Sequence, residues 1–415
     1  MAAPKPNRPL LVRAINALGA GLARLGAELP PLDADGLLAA ARRTSGLEDF
    51  GGDGFREGYS RFVASLRTEA RLNTLGRVAA RTQVLGYLRN RLELRDYRDR
   101  HPEVAEQVIR RPLFILGVPR TGTTVLFNLL AQDPANRAPL GWEVDRPCPP
   151  PEPASWQSDP RIAVSQRQFD RLHKLEPAMA TIHEMGALLP QECVAITGHE
   201  FLSVQFHIMF DVPSYQVWVD EQSFAPAYAF HRSFLQHLQL HCRGDRWVLK
   251  SPGHLSAIED LLAVYPDACI VHTHRDPLAV MPSLASLSYT LRGLSSDAVD
   301  PLRVGRQQAE LWDEHLRRAM RARDALDGRR EQFYDVHFED VLKDPIEVVT
   351  RIYDYFGIAL AVEARRSMEA FLSKNPRGKR GAHSYSLEDF GLENERSGKR
   401  FADYCERFGI ESAAR

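Results

Sequence analysis

The sequence predicts an α/β protein in which a parallel sheet is flanked by helices and preceded by an N-terminal helical cap, and three observations carry that prediction. Apolar runs of strand length recur at 113–116, 247–249, 268–271 and 332–338. Each leads into a stretch of helical spacing, the alternation of parallel βαβ units whose ligands bind at the carboxyl ends of the strands. Residues 33–101, by contrast, are rich in Leu, Ala, Arg and Glu and repeat apolar positions at helical spacing only, as in Val84, Leu88 and Leu92.

The first of these strands organises the chain. Leu113-Phe114-Ile115-Leu116 breaks at Gly117-Val118-Pro119, passes through Arg120-Thr121-Gly122-Thr123-Thr124 and resumes with helical spacing from Val125 to Leu130. Strand, tight loop and helix start aim backbone N–H groups at one point, which makes an anion cradle. The glycines sit as in a nucleotide-binding P-loop, so the sheet is P-loop-like, but Thr123 stands where a Walker A loop carries Lys. That absence argues against a kinase or GTPase. The positive charge is displaced to Arg120, whose planar guanidinium can fork two bonds onto a phosphate or sulfate, while the hydroxyls of Thr123 and Thr124 add donors. An ordinary strand-to-helix turn is the plain alternative; the glycine spacing, the Arg and the Thr pair together favour the cradle.

The other elements follow in order. Residues 10–29 place Leu11, Ile15, Leu18, Leu22 and Leu25 at helical spacing. Packing of that face on the core is the expected arrangement, because the polar face is not dominated by Lys and Arg; a peripheral membrane contact is the alternative. The cluster Pro147, Pro149, Pro150, Pro151 and Pro153 requires an extended crossing. From Ile162 to Gln239 the chain reads as helical, and the aromatics from Phe201 to Phe234 suit either an apolar acceptor pocket or core packing. Trp247-Val248-Leu249 ends at Lys250-Ser251-Pro252-Gly253-His254, where Ser251 and Pro252 open a helix expected to run from Leu255 to Val264. Ala268 to Val271 leads through His272 and His274 to Arg275-Asp276-Pro277 and a helix carrying Ser283, so Arg120, Lys250 and Arg275 meet at one sheet edge. Gln332 to Phe338 precedes a helix over Pro345 to Tyr355, and the tail carries Arg377, Gly378, Lys379, Arg380 and Gly381, a solvated linker or a second phosphate clamp.

Composition narrows the function. With 44% hydrophobic and 26% charged residues over 415 positions, the chain is an ordinary globular protein. A formal charge of −1 leaves no global basic field and excludes a general nucleic-acid binder. Cys148, Cys193, Cys242, Cys269 and Cys405 are scattered, without a CxxC pair, which reads as reduced thiols in a cytoplasmic setting. No stretch has the apolar length of a membrane span, and Met1 to Leu11 lacks a signal-peptide core. His272 and His274 lack a third ligand in the sequence, so no metal is expected there.

Pro119-Arg120-Thr121-Gly122-Thr123-Thr124, Lys250-Ser251-Pro252, and Arg275 with Ser283 eight residues later resemble the motifs of sulfotransferases that use 3′-phosphoadenosine 5′-phosphosulfate (PAPS). The resemblance covers Pro112 to the C-terminus. It is closest to the bacterial branch with tyrosine-sulfotransferase-like motifs; Thr44 to Phe50 is similar to the bacterial branch alone. It implies that the loop around Arg120 holds the 5′-phosphosulfate, that Arg275 and Ser283 hold the 3′-phosphate, that Phe338 lies near the adenine, and that Arg377, Lys379 and Arg380 close over the 3′-phosphate. Many cytosolic members have Lys in place of Arg120 and Trp in place of Val125, so a small-phenol specificity is not inherited.

Fixed cations suit sulfuryl transfer, because negative charge develops on the leaving phosphate oxygens and the sulfuryl group carries less charge than a terminal phosphoryl. Arg120 and Lys250 are the candidates to replace a metal ion. For the base that takes the acceptor's proton there are two candidates, Glu143, where the tyrosine-sulfotransferase-like pattern has a Glu, and His254, near which cytosolic members have a His. The expected organisation is a helical cap over residues 1–105, a core over 106–375 with a helical acceptor-site insertion at about 142–245, and a closing loop and tail over 376–415. The expected reaction moves a sulfuryl group from PAPS to a hydroxyl of a small or lipid-like acceptor. A P-loop kinase and a non-catalytic nucleotide- or membrane-binding protein are the rivals.

Overall fold

A computed structural model describes residues 10–176, 185–376, 386–393 and 399–411. Its centre is a sheet of five parallel strands, β1 (Leu113–Leu116), β2 (Asn136–Arg137), β3 (Arg246–Lys250), β4 (Cys269–His274) and β5 (Phe333–His337), in the order β2-β3-β1-β4-β5. All four residues of β1 are buried, as a central strand covered on both faces requires. Alternation along the strands builds two cores. Leu113, Ile115, Val248 and Val271 face the helices Thr123–Leu130, Pro345–Tyr355 and Val362–Lys374, while Phe114, Leu116, Leu249 and Ile270 face the larger layer that includes the N-terminal helices.

From β1 the chain moves first to one side of the sheet, through β2 and β3, and then to the other, through β4 and β5. β1 is therefore the point where strand order reverses, the position at which open parallel sheets leave a crevice at the strand ends. The loop after β1 opens there.

The helices begin where the sequence says they must. Asp159-Pro160, Asp276-Pro277, Asp300-Pro301 and Asp344-Pro345 each start one, with the Asp side chain accepting from the N–H of Arg161, Leu278, Leu302 or Ile346 and Pro filling the first helical position. Each such cap is worth about 1 kcal/mol over Ala. The N-terminal region folds as α1 (Leu10–Arg24), α2 (Ala34–Ser45), α3 (Arg56–Thr68) and the long α4 (Thr74–Arg100). The helix after the first loop is α5 (Thr123–Leu130).

Three expectations need correction, and one strand goes unannounced in the sequence. β2 is a two-residue edge strand that no apolar run announces. The helix expected from Leu255 to Val264 is a 3-10 turn over Pro252–Ser256 followed by a helix over Ile258–Val264, broken at Ala257, whose backbone (φ −143°, ψ 37°) is not helical. Among the described residues from Ile162 to Gln239, the helices Pro160–Leu175 and Ala225–Leu238 flank shorter ones, and the chain is interrupted where Phe201 takes a left-handed φ of 51° and where Pro213 forces a new start. Phe201 and Phe206 are core, wholly buried with ring centroids 6.2 and 4.1 Å from that of Phe62, whereas Phe224 and Tyr228 line a cavity beside His254. Finally, α1 packs through Val12 and Asn16 and leaves Ile15, Leu18, Leu22 and Leu25 exposed, the reverse of the expected orientation.

Candidate active site

The loop after β1 is held open by its backbone. Gly117 (φ 153°) lies so close to β4 that a Cβ would collide with the Thr273 hydroxyl, and Gly122 (φ 91°) turns the chain into α5. Only glycine meets both demands without strain. The Thr121 hydroxyl donates to the Val118 carbonyl at 2.7 Å and lies 2.5 Å from the Thr273 hydroxyl. Thr121 is fully buried, and its side chain shapes the loop. Thr124 and Arg120 are exposed, and Thr123 is buried.

Arg120 has a left-handed backbone (φ 75°), a conformation costing a non-glycine residue about 1–2 kcal/mol. Its carbonyl accepts from Arg275 Nη1 at 3.0 Å, which ties the loop to the end of β4. The Arg275 guanidinium in turn lies 3.9 Å from the centroid of the Phe338 ring, just past β5. The loop, Arg275 and Phe338 are thus brought together at one edge of the sheet. Ser283 is half-buried about two turns into the helix Pro277–Ser295. Arg377, Lys379 and Arg380 lie outside the described residues.

Lys250 ends β3 in register with Ile115 of β1. Its ammonium is buried, lies 3.3 Å from the Thr124 hydroxyl and is paired with the Glu192 carboxylate. Thr124, Phe127, Asn128, Gln191, Glu192 and Lys250 line one cleft. Glu192 comes from the insertion, where residues 187–191 are strapped to 139–142: Gly141 N–H donates to the Leu189 carbonyl, Trp142 N–H to that of Ala187, and Gln191 N–H to that of Pro139. No motif marks Glu192 in the sequence; only this tertiary strap carries it to Lys250.

Neither candidate base lines this cleft. Glu143 is fully buried; one carboxylate oxygen accepts from Arg137 at 2.7 Å and Trp156 at 2.8 Å, and the other from the Leu140 N–H at 2.8 Å. It caps the short helix Gly141–Asp145, neutralises a buried guanidinium and does not line the Lys250 cleft. His254 lines a different cavity, with Val194, Gln216, Ser251 and His315. Its Nδ1 lies 2.7 Å from the Tyr228 hydroxyl, and burial holds the imidazole well below its ordinary pKa, so the ring is neutral.

His272 and His274 share one face of β4, and the structure supplies the third group absent from the sequence argument: Asp335 of β5 brings a carboxylate within 4.8 Å of both rings. Asp335 accepts from His274 Nε2 at 2.9 Å and pairs with Arg323. Burial alone would raise the Asp335 pKa, yet hydrogen bonds from His274 and Arg323 outweigh it and hold the carboxyl well below its usual range. The His274 Nδ1 lies 2.8 Å from the Tyr404 hydroxyl. The guanidinium already in place makes this a hydrogen-bonded brace between the sheet and the C-terminal helix Ala402–Arg407.

Comparison with known proteins agrees with this geometry. Residues 112–361, more than half of the chain, match the model of the sulfotransferase family. The omega-hydroxy-beta-dihydromenaquinone-9 sulfotransferase Stf3 of Mycobacterium bovis is 26% identical over 326 residues, covering 74% of this chain and 78% of the relative. Among solved structures, sulfotransferase STF1 from Mycobacterium tuberculosis H37Rv is 35% identical with a TM-score of 0.80 (89% of this chain, 98% of that one). Sulfotransferase STF9 from Mycobacterium avium is 31% identical with a TM-score of 0.84 (93% and 99%). The sheet with its reversal at β1, the phosphate-loop geometry that follows and the extent of these matches lead to one conclusion: the chain belongs to the sulfotransferase family and is an enzyme of PAPS-dependent sulfuryl transfer.

Proposed function

We propose that the enzyme transfers the sulfuryl group to the hydroxyl of a lipid-like acceptor by in-line displacement. One observation carries the chemistry: a cation, Lys250, and a carboxylate, Glu192, meet in one cleft beside the phosphate loop. The loop amides and Arg120 hold the 5′-phosphosulfate, Arg275 and Ser283 the 3′-phosphate, Phe338 the adenine face, and Arg377, Lys379 and Arg380 close over them. The acceptor oxygen forms its bond to sulfur as the bond from sulfur to the bridging phosphate oxygen breaks. Lys250 moves from Glu192 to that oxygen as its charge grows, an interaction stronger in the transition state than before it. Glu192, released, takes the acceptor's proton. Neither Glu143, sealed by three donors, nor His254 in its separate cavity is as well placed.

In this reading residues 1–105 are the cap, 106–375 the transferase core, 142–245 the insertion that delivers Glu192, and 376–415 the closing segment. The cations Arg120 and Lys250 take the part a metal plays in phosphoryl transfer. Five free cysteines favour the cytoplasm. The lipid class of the acceptor is supported by the hydroxylated menaquinone derivative in the name of the Mycobacterium bovis relative. Such an acceptor resides in a bilayer, so a peripheral contact through residues 10–29 belongs to the same reading; no helix is long and apolar enough to cross a membrane among the described residues.

The test is mass spectrometry of a detergent-dispersed lipid extract incubated with enzyme and PAPS. A hydroxylated lipid gaining a sulfuryl mass, and not gaining it with Lys250→Ala, is the expected result. A sulfuryl adduct confined to water-soluble metabolites would overturn the acceptor class.

A further inference from the structure

α1 turns outward the residues an amphipathic helix ordinarily buries. Leu10, Ile15, Leu18, Leu22 and Leu25 are between 42% and 83% exposed. The spacing of three and four residues from Ile15 to Leu25 aligns them in one stripe along the helix. The helix is held to the protein by another face. Asn16 Oδ1 accepts from the Leu75 N–H at 3.1 Å, and Gly19 approaches Thr74 so closely that a Cβ would overlap its side chain. These contacts fix the rotation of α1 on the first turn of α4, so the stripe stands as a convex aliphatic ridge. Exposed apolar surface of this kind marks an interaction site.

Charge identifies the occupant. Residues 1–27 contain Lys5, Arg8, Arg13 and Arg24 and no acidic residue, in a chain whose formal charge is −1. Arg13 and Arg24 are exposed, and the first acid, Glu28, is paired with Arg77 at 2.8 Å. A second copy docked on this ridge would set like charges against one another. An anionic bilayer supplies both an acyl boundary for the stripe and phosphate for the cations. With 15 residues, α1 is too short to span a membrane and suited to lying on one.

Resting on the lipid-acceptor reading, we propose that α1 docks the enzyme flat on an anionic bilayer, Ile15, Leu18, Leu22 and Leu25 entering the acyl boundary while Arg13 and Arg24 stay among the headgroups. The full chain is sedimented with vesicles of phosphatidylcholine alone and of phosphatidylcholine with phosphatidylglycerol. Binding to the anionic vesicles, at least tenfold stronger than to the neutral ones and weakened at high salt, is expected. The double variant Leu18→Glu, Leu22→Glu should lose at least tenfold in that binding with an unchanged melting temperature, since both side chains lie on the exposed side of the helix. Binding to neither vesicle, binding that survives the double variant, or a wild-type dimer that the variant dissociates would each overturn the proposal. The vesicle measurement uses neither donor nor acceptor, so it fails independently of the acceptor assay.

Discussion

The Lys250 ammonium and the Glu192 carboxylate are paired at the end of β3, although 58 residues separate them in sequence. In the proposed mechanism Lys250 meets the leaving phosphate oxygen as its charge grows. Lys250→Ala is expected to lower turnover by about 10²-fold or more while the donor product adenosine 3′,5′-bisphosphate still raises the melting temperature. Turnover within a few fold of wild type would remove Lys250 from the chemistry.

Glu143 and Arg137 make a second pair, with side chains 0% and 3% exposed. Neutralising one member strands the other charge in the interior, at a cost of about 3–5 kcal/mol. Glu143→Gln should therefore lower the unfolding free energy by that order, and the folded fraction should retain its turnover. A thermally normal Glu143→Gln protein without activity would return the base to Glu143.

Arg275 links the loop through the Arg120 carbonyl and stacks on Phe338. If it also meets the 3′-phosphate, adenosine 3′,5′-bisphosphate at a hundred times its Kd should stabilise the fold by about 2.7 kcal/mol, and ADP far less. Arg275→Ala removes a charge-assisted contact worth about 1.5–3 kcal/mol and should erase most of that discrimination. Equal melting shifts for the bisphosphate and ATP would contradict the assignment.

Stability should fall on mild acidification. Burial holds His199 and His231 down to about 3 and His237 to about 4. Below about pH 6.5 the unfolded chain protonates these rings and the folded chain does not. The unfolded state then binds more protons, and each histidine withdraws about 1.4 kcal/mol per pH unit as pH falls. Urea unfolding should give a nearly constant free energy from pH 7 to 8 and a steep loss from pH 6 to 5. His231→Gln should make that loss shallower; an unchanged slope would sink this account.

What the sequence reveals here is what local chemistry decides. β1, its glycine loop and the Asp-Pro helix starts are legible because φ, chain reversal and capping are set within a few residues. Arg275 and Phe338 are legible as strand-end residues, though not as a stacked pair. Glu192 is illegible because its place depends on a strap between segments about fifty residues apart. The burial of Glu143 is hidden for a similar reason: Arg137 is near in sequence, but Trp156 arrives only after the proline crossing has folded back. Periodicity finds the stripe on α1 but not the side it faces, which is decided by the close approach of Gly19 to Thr74.

The most direct measurement of the central claim is the turnover of Glu192→Gln, followed as adenosine 3′,5′-bisphosphate release in the presence of acceptor. The substitution keeps the shape and removes the proton acceptor. Turnover should fall by about 10²–10⁴-fold, the usual worth of a general base, with the bisphosphate melting shift intact. Wild-type turnover in Glu192→Gln would contradict the claim that the carboxylate held by Lys250 receives the acceptor's proton.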